Sequence, residues 1–132
     1  MLESQLIETK LHPINDAGEV VGILIINANG ALDVSDFERL TKKVDTYLEK
    51  HTHLHAALIH AEEFPGWVSF ASLISHLKFV RLHHQKIEKI ALVTDTVLAD
   101  AAEVFLSHFI KAELKHFPYC AYAQALEWTK HQ

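Results

Sequence analysis

The chain has 132 residues, enough for one domain (1–132) with a sizeable apolar core. Apolar residues make up 49% of it and charged residues 22%, which excludes a disordered chain. The formal charge of −5 argues against nucleic acid as a partner and offers no electrostatic help toward anionic lipid, although the eleven histidines raise the charge below about pH 6.5.

Residues 6–11 read as a first strand, and Asn15-Asp16-Ala17-Gly18 as a turn. Residues 20–26 form a continuous β-branched run, which predicts a strand buried on both faces and an N-terminal antiparallel hairpin. This run is far too short to span a bilayer, and residues 1–10 carry two glutamates and no apolar signal segment. With Cys120 as the single cysteine, these features predict a protein of the reducing cytoplasm.

Gly30 is available for a positive φ in the following loop. Ser35 and Glu38 have capping-box spacing, and Phe37, Leu40, Val44, Tyr47 and Leu48 mark one stripe of a helix to about Lys50. A short strand spans 56–60. An aromatic loop, Phe64-Pro65-Gly66-Trp67, leads into a helix over 68–85. Here Phe70, Leu73, Ile74, Leu77 and Val80 gather on one side, while Val68, Phe79 and Leu82 fall on the opposite side, with Trp67 at its entrance. A surface helix needs one apolar stripe; a second one predicts a partner, an apolar ligand or a lipid surface.

A strand over 87–94 follows. Asp95 or Thr96 then caps a helix to residue 110, in which Leu98, Ala101, Ala102, Phe105 and Phe109 share a face. Residues 113–117 alternate as a half-buried strand that Pro118 stops, and a last helix over 121–130 turns Tyr122, Ala125, Leu126 and Thr129 inward. Strands alternating with helices predict an α/β fold: a mainly parallel central sheet of about five strands, an N-terminal hairpin and about four helices.

Three stretches carry a family resemblance. They are Gly30-Ala31-Leu32-Asp33-Val34-Ser35-Asp36-Phe37-Glu38, Ile87-Glu88-Lys89-Ile90-Ala91-Leu92-Val93-Thr94-Asp95, and Lys115-His116-Phe117-Pro118 followed by Ala125-Leu126-Glu127-Trp128. In this order they resemble the SpoIIAA-like family, related to STAS domains. The resemblance implies a βα superhelix with a central sheet, a cytoplasmic bacterial protein and no enzyme activity. The wider fold is shared with CRAL-TRIO lipid carriers, which by analogy points to an apolar ligand. Regulatory STAS proteins carry a phosphorylatable serine after the third strand. Here that region reads Ala61-Glu62-Glu63-Phe64-Pro65-Gly66-Trp67, with bulky apolar groups in place of the switch.

Other residues support no stronger chemistry. His51, His53 and His55 would share a face of an extended segment and could hold a metal, but no cysteine or carboxylate sits close by; a histidine-rich connection is the simpler reading. His83 and His84 diverge on a helix, and His76 lies two turns from His83. Glu62 and Glu63 beside His60 could act as acid and base, yet nothing supplies a nucleophile or oxyanion donors. No cation cluster activates Cys120. The expectation is a non-enzymatic protein without metal or cofactor. It binds a hydrophobic or lipid ligand, and associates peripherally with the inner membrane surface, through a mobile amphipathic helix. The contact residues are Phe64, Trp67, Val68, Phe70, Leu73, Leu77, Phe79 and Leu82. The alternative is a protein-interaction or homodimerisation module using the same surface.

Overall fold

The computed structural model describes residues 2–11, 19–63, 70–95 and 111–131. Five strands form one sheet: β1 (Leu2–Lys10), β2 (Val20–Ala28), β3 (Leu54–His60), β4 (Ile87–Val93) and β5 (Glu113–Phe117). Their order across the sheet is their order along the chain. β1 runs antiparallel to β2, and every later neighbour pairs in parallel. Helix α1 (Val34–Leu48) joins β2 to β3, and α2 (Phe70–His83) with a 3-10 turn at His84–Lys86 leads into β4. Helix α3 (Tyr122–Thr129) follows β5 through a 3-10 turn at Tyr119–Ala121. This is the α/β architecture the alternation predicts. The turn expected at 15–18, the loop at 64–67 and the helix expected up to residue 110 lie outside the described residues.

The run in β2 is continuous because both faces of the sheet are covered. Leu24 and Ile26 join Ala57 of β3 and Phe37, Leu40, Val44 and Tyr47 of α1 in one apolar cluster. Ile23 and Ile25 join Ala56, Leu58, Ala91, Val93 and Phe117 in another, closed by Ala125 of α3 with Tyr122, Leu126 and Trp128 against it. Alternate residues of one strand therefore feed two cores. Gly30 has the expected positive φ, 70°.

Two local expectations need correction. The cap of α1 is Asp33, not Ser35. Val34 N–H donates to Asp33 Oδ1 at 2.6 Å, and Asp33 N–H donates to Asp36 Oδ2 at 2.8 Å. Both pairs have capping-box spacing, and Asp36 prevails because it is buried and also receives the N–H of Leu2 at 3.3 Å. The second correction is β1, which begins at Leu2 rather than residue 6. Its first residues carry little apolar alternation. They are held by α1 instead: Asp36 takes the Leu2 N–H, and Lys43 Nζ donates to the Ser4 carbonyl at 2.6 Å and to Ser4 Oγ at 2.9 Å.

Candidate functional site

Helix α2 packs along α1 through an inner line of Ser72, His76, Phe79 and His83, spaced four, three and four residues apart. Ser72 and His83 are buried. The His76 ring stacks on Phe37 with centroids 4.9 Å apart. Burial holds the His76 imidazole below its ordinary pKa, because a charged ring there would lose its water. His83 is bound at both nitrogens: Nδ1 lies 2.8 Å from the Phe79 carbonyl oxygen and Nε2 lies 2.8 Å from Asp45 Oδ1 on α1.

This line overturns part of the two-face expectation. Phe79 does not point to solvent; it is half-buried against the cluster on the α1 side and stacks on His83 at 4.4 Å. The wheel places the greasiest face inward, but α1 offers Asp45 and Phe37 to this neighbour, so His83, bonded at both ring nitrogens, and His76, stacked on Phe37, take inner positions. Leu82 is outward as expected, 55% exposed. The backbones of Phe70, Leu73 and Leu77 belong to α2, while their side chains, and all of Phe64, Trp67 and Val68, lie outside the described residues.

The exposed side of α2 carries a charge signal. Lys78 and Arg81 on α2 and Lys86 in the turn that follows it are all exposed, four residues before, one before and four after Leu82 in sequence. From residue 64 through 87 there is no aspartate or glutamate, on a chain whose net charge is −5. Averaging charge over the whole sequence conceals this acid-free segment; counting it by element brings it out. No described helix is long and apolar enough to cross a membrane.

At the carboxyl ends of the strands, His60 Nδ1 hydrogen-bonds Asn27 Oδ1 at 3.1 Å, and its ring stacks on Tyr119 at 4.4 Å and 8°. Tyr122 leans on the same ring. The neighbouring backbone is closed by hydrogen bonds: Asp95 N–H and Thr94 Oγ1 donate to the Glu62 carbonyl at 2.9 and 3.2 Å, and Tyr119 N–H donates to Asp95 Oδ1 at 2.9 Å. Glu62 and Glu63 are exposed. The ring of His60 is thus committed to Asn27 and two tyrosines, partners that its sequence neighbours do not reveal.

The three alternating histidines diverge. His51 stacks on Tyr47, His53 contacts Thr52, and His55 is buried between Glu88 Oε2 at 2.9 Å and the His131 carbonyl at 2.8 Å. Among the described residues no three histidine, cysteine or carboxylate side chains stand close enough to hold a metal ion. Cys120 is exposed. Lys89 is a buried cation with no local pattern in the sequence to mark it. Its Nζ donates to the Trp128 and His131 carbonyls at 2.9 and 3.2 Å and lies 4.1 Å from the Trp128 ring centroid. Desolvation lowers its pKa. These contacts pin the end of α3 to β4, a structural task.

A family model described as SpoIIAA-like matches residues 23–130. The fold is similar to the crystal structure of an uncharacterized protein from the DUF3478 family, with a SpoIIAA-like fold, from Shewanella loihica PV-4. The TM-score is 0.70 at 20% sequence identity, over 98% of this chain and 95% of that one. No curated protein matches the chain.

Proposed function

The chain belongs to the SpoIIAA-like family, and from that premise we propose that it is a non-enzymatic binding module whose helix α2 makes peripheral contact with an anionic lipid surface. The observation that carries this reading is Leu82, exposed among Lys78, Arg81 and Lys86 in a segment without carboxylates. A helix that combines basic residues with an exposed apolar one suits the boundary between lipid headgroups and acyl chains. Each cation near an anionic bilayer contributes about 1 kcal/mol, and burying a leucine side chain about 1.5–3 kcal/mol. The aromatic loop at 64–67 adjoins the start of α2 in sequence and would add apolar contacts of the same kind. Net charge alone predicts weak salt dependence; these local cations predict the opposite, because their attraction is screened over about 10 Å at 0.1 M salt.

Co-sedimentation tests the reading. Vesicles containing phosphatidylserine should bring down the protein at low salt, and phosphatidylcholine vesicles should bring down far less. Replacing Lys78 and Arg81 with glutamate should weaken the first interaction at least roughly tenfold, and Leu82→Asp should do the same while the fold persists. Equal binding of wild type and variants, or no binding to either vesicle, would refute it. A mass that rises with protein concentration and falls on Leu82→Asp would instead assign this face to protein association.

A further inference from the structure

We propose that the free edge of β1 is a self-association surface, on which β1 of a second copy pairs antiparallel so that each Glu8 stands beside Leu6 of the other copy, at the groove that its Lys42 lines.

Leu11 N–H donates to the Glu19 carbonyl at 3.0 Å, which extends the β1–β2 register as a hydrogen-bonded pair. Bonded and non-bonded pairs alternate in an antiparallel ladder, so Thr9, Ile7, Gln5 and Glu3 are the residues bonded to β2. Leu2, Ser4, Leu6, Glu8 and Lys10 then turn their N–H and C=O groups away from the sheet. Two independent contacts agree with this: Asp36 takes the Leu2 N–H, and Lys43 takes the Ser4 carbonyl. Beyond Ser4 this cover stops. Among the described residues nothing bonds the outward backbone groups of Leu6, Glu8 and Lys10. An edge with open backbone groups is a template for another strand.

A groove runs alongside this edge. Leu6, Arg39, Lys42, Lys43, Thr46 and Tyr47 line a hollow of about 450 Å³ between β1 and α1. Arg39 pairs with Asp36, whereas Lys42 is exposed and has no carboxylate partner among the described residues. A strand added to β1 would turn every second side chain toward this hollow, and a carboxylate at such a position complements it.

The register then selects the occupant. Two-fold pairing must set outward residues against outward residues. Centring on Glu8 opposes two carboxylates. Centring on Leu6 uses Leu2, whose N–H is already taken. Centring on Thr9 bonds only Glu8 and Lys10 within the strand. Centring on Ile7 avoids all three faults. It sets Leu6 opposite Glu8 and Ser4 opposite Lys10, and brings the half-buried Ile7 of each copy together on the other face. The Ser4 carbonyl keeps a second lone pair for the incoming strand. β1 thus carries, at matching positions, both the acid and the apolar floor that the pairing needs.

The test is sedimentation equilibrium of the full chain, with a dimer expected. Lys42→Glu alone and Glu8→Lys alone should each raise the dimer dissociation constant roughly tenfold, and the two together should restore it toward wild type. Glu8→Pro removes an outward N–H and none of the bonds to β2, so it should yield a folded monomer. Leu82→Asp should leave the dimer intact, which separates this surface from α2. A wild type that stays monomeric at every concentration, a dimer that survives Glu8→Pro, or a charge exchange without rescue would each overturn the proposal.

Discussion

Tyr47 lies against the backbone of Gly22, so closely that a Cβ at Gly22 would stand 2.6 Å from Tyr47 Cζ. The helix-α1 ring occupies the space that the absent side chain leaves, and the Gly22 backbone hydrogen-bonds its phenol oxygen. Burial, reinforced by the charge of Glu8, raises the Tyr47 pKa despite that hydrogen bond.

Gly22→Ala should therefore destabilise the protein by about 1–3 kcal/mol through overpacking. Urea unfolding would show a lower midpoint at unchanged slope. The penalty should shrink in a Tyr47→Leu background, because the two residues share one space. Equal penalties in both backgrounds would mean that the ring yields freely.

Asp36 gathers the N–H groups of Asp33 and Leu2 and the Arg39 guanidinium. Burial alone would raise its pKa, but the Asp33 N–H, then Arg39, then the Leu2 N–H outweigh it and hold the carboxyl below 3.8. A depressed carboxyl stabilises the fold above its unfolded value and loses that contribution as pH falls through the folded one. Asp36→Asn should cost about 1–3 kcal/mol at neutral pH and flatten the acid limb of the stability curve below about pH 4. An unchanged acid limb would assign acid sensitivity elsewhere.

His76 gives the opposite end of the physiological range a test. Its folded pKa lies below 6.5, so the unfolded chain takes up the proton first as pH falls. Stability contributed above about pH 6.5 is then lost on acidification toward the lowered folded value. Thermal melts between about pH 7 and about pH 5 should show a smaller drop for His76→Phe than for wild type. Parallel curves would remove His76 as the cause.

Lys89→Met should loosen the end of α3. The methionine fills the space but removes the charged donor from the Trp128 and His131 carbonyls, which keep only the His131 N–H and the His55 ring, at a cost of about 1–3 kcal/mol. Amide exchange in residues 122–129 should accelerate more than exchange in β4. Uniform acceleration would indicate global destabilisation only.

The strands were legible where burial is two-sided or strictly alternating. β5 reads as Glu113–Phe117 from its alternation, and the β2 run reads as buried from its lack of it. The cap of α1 was ambiguous, because Asp33/Asp36 and Ser35/Glu38 have equal spacing and the deciding hydrogen bond comes from Leu2, 34 residues away. Phe79 was misplaced because a wheel ranks faces by greasiness and cannot see that Asp45 and Phe37 welcome histidines beside it. Lys89 and His55 look like ordinary polar residues until the carbonyls they hold arrive from β-distant segments near residue 131. The cations around Leu82 were visible throughout and were hidden only by the acidic total.

The sheet order β1-β2-β3-β4-β5 has a consequence for synthesis on the ribosome. Each new strand docks on the one made just before it, and none has to be threaded between two strands already joined. Such an order lets the sheet grow by accretion at one side, with α1 and α2 made before the strands that follow them, β3 and β4. Pairings between sequence neighbours close comparatively short loops, which favours rapid folding for a parallel sheet. Besides the edge of β1, the emerging sheet presents one further, growing edge, where pairing with a neighbouring nascent chain is a hazard. Permuting the strands so that β2 is translated last would leave every native contact in place and convert this sequential build into an insertion.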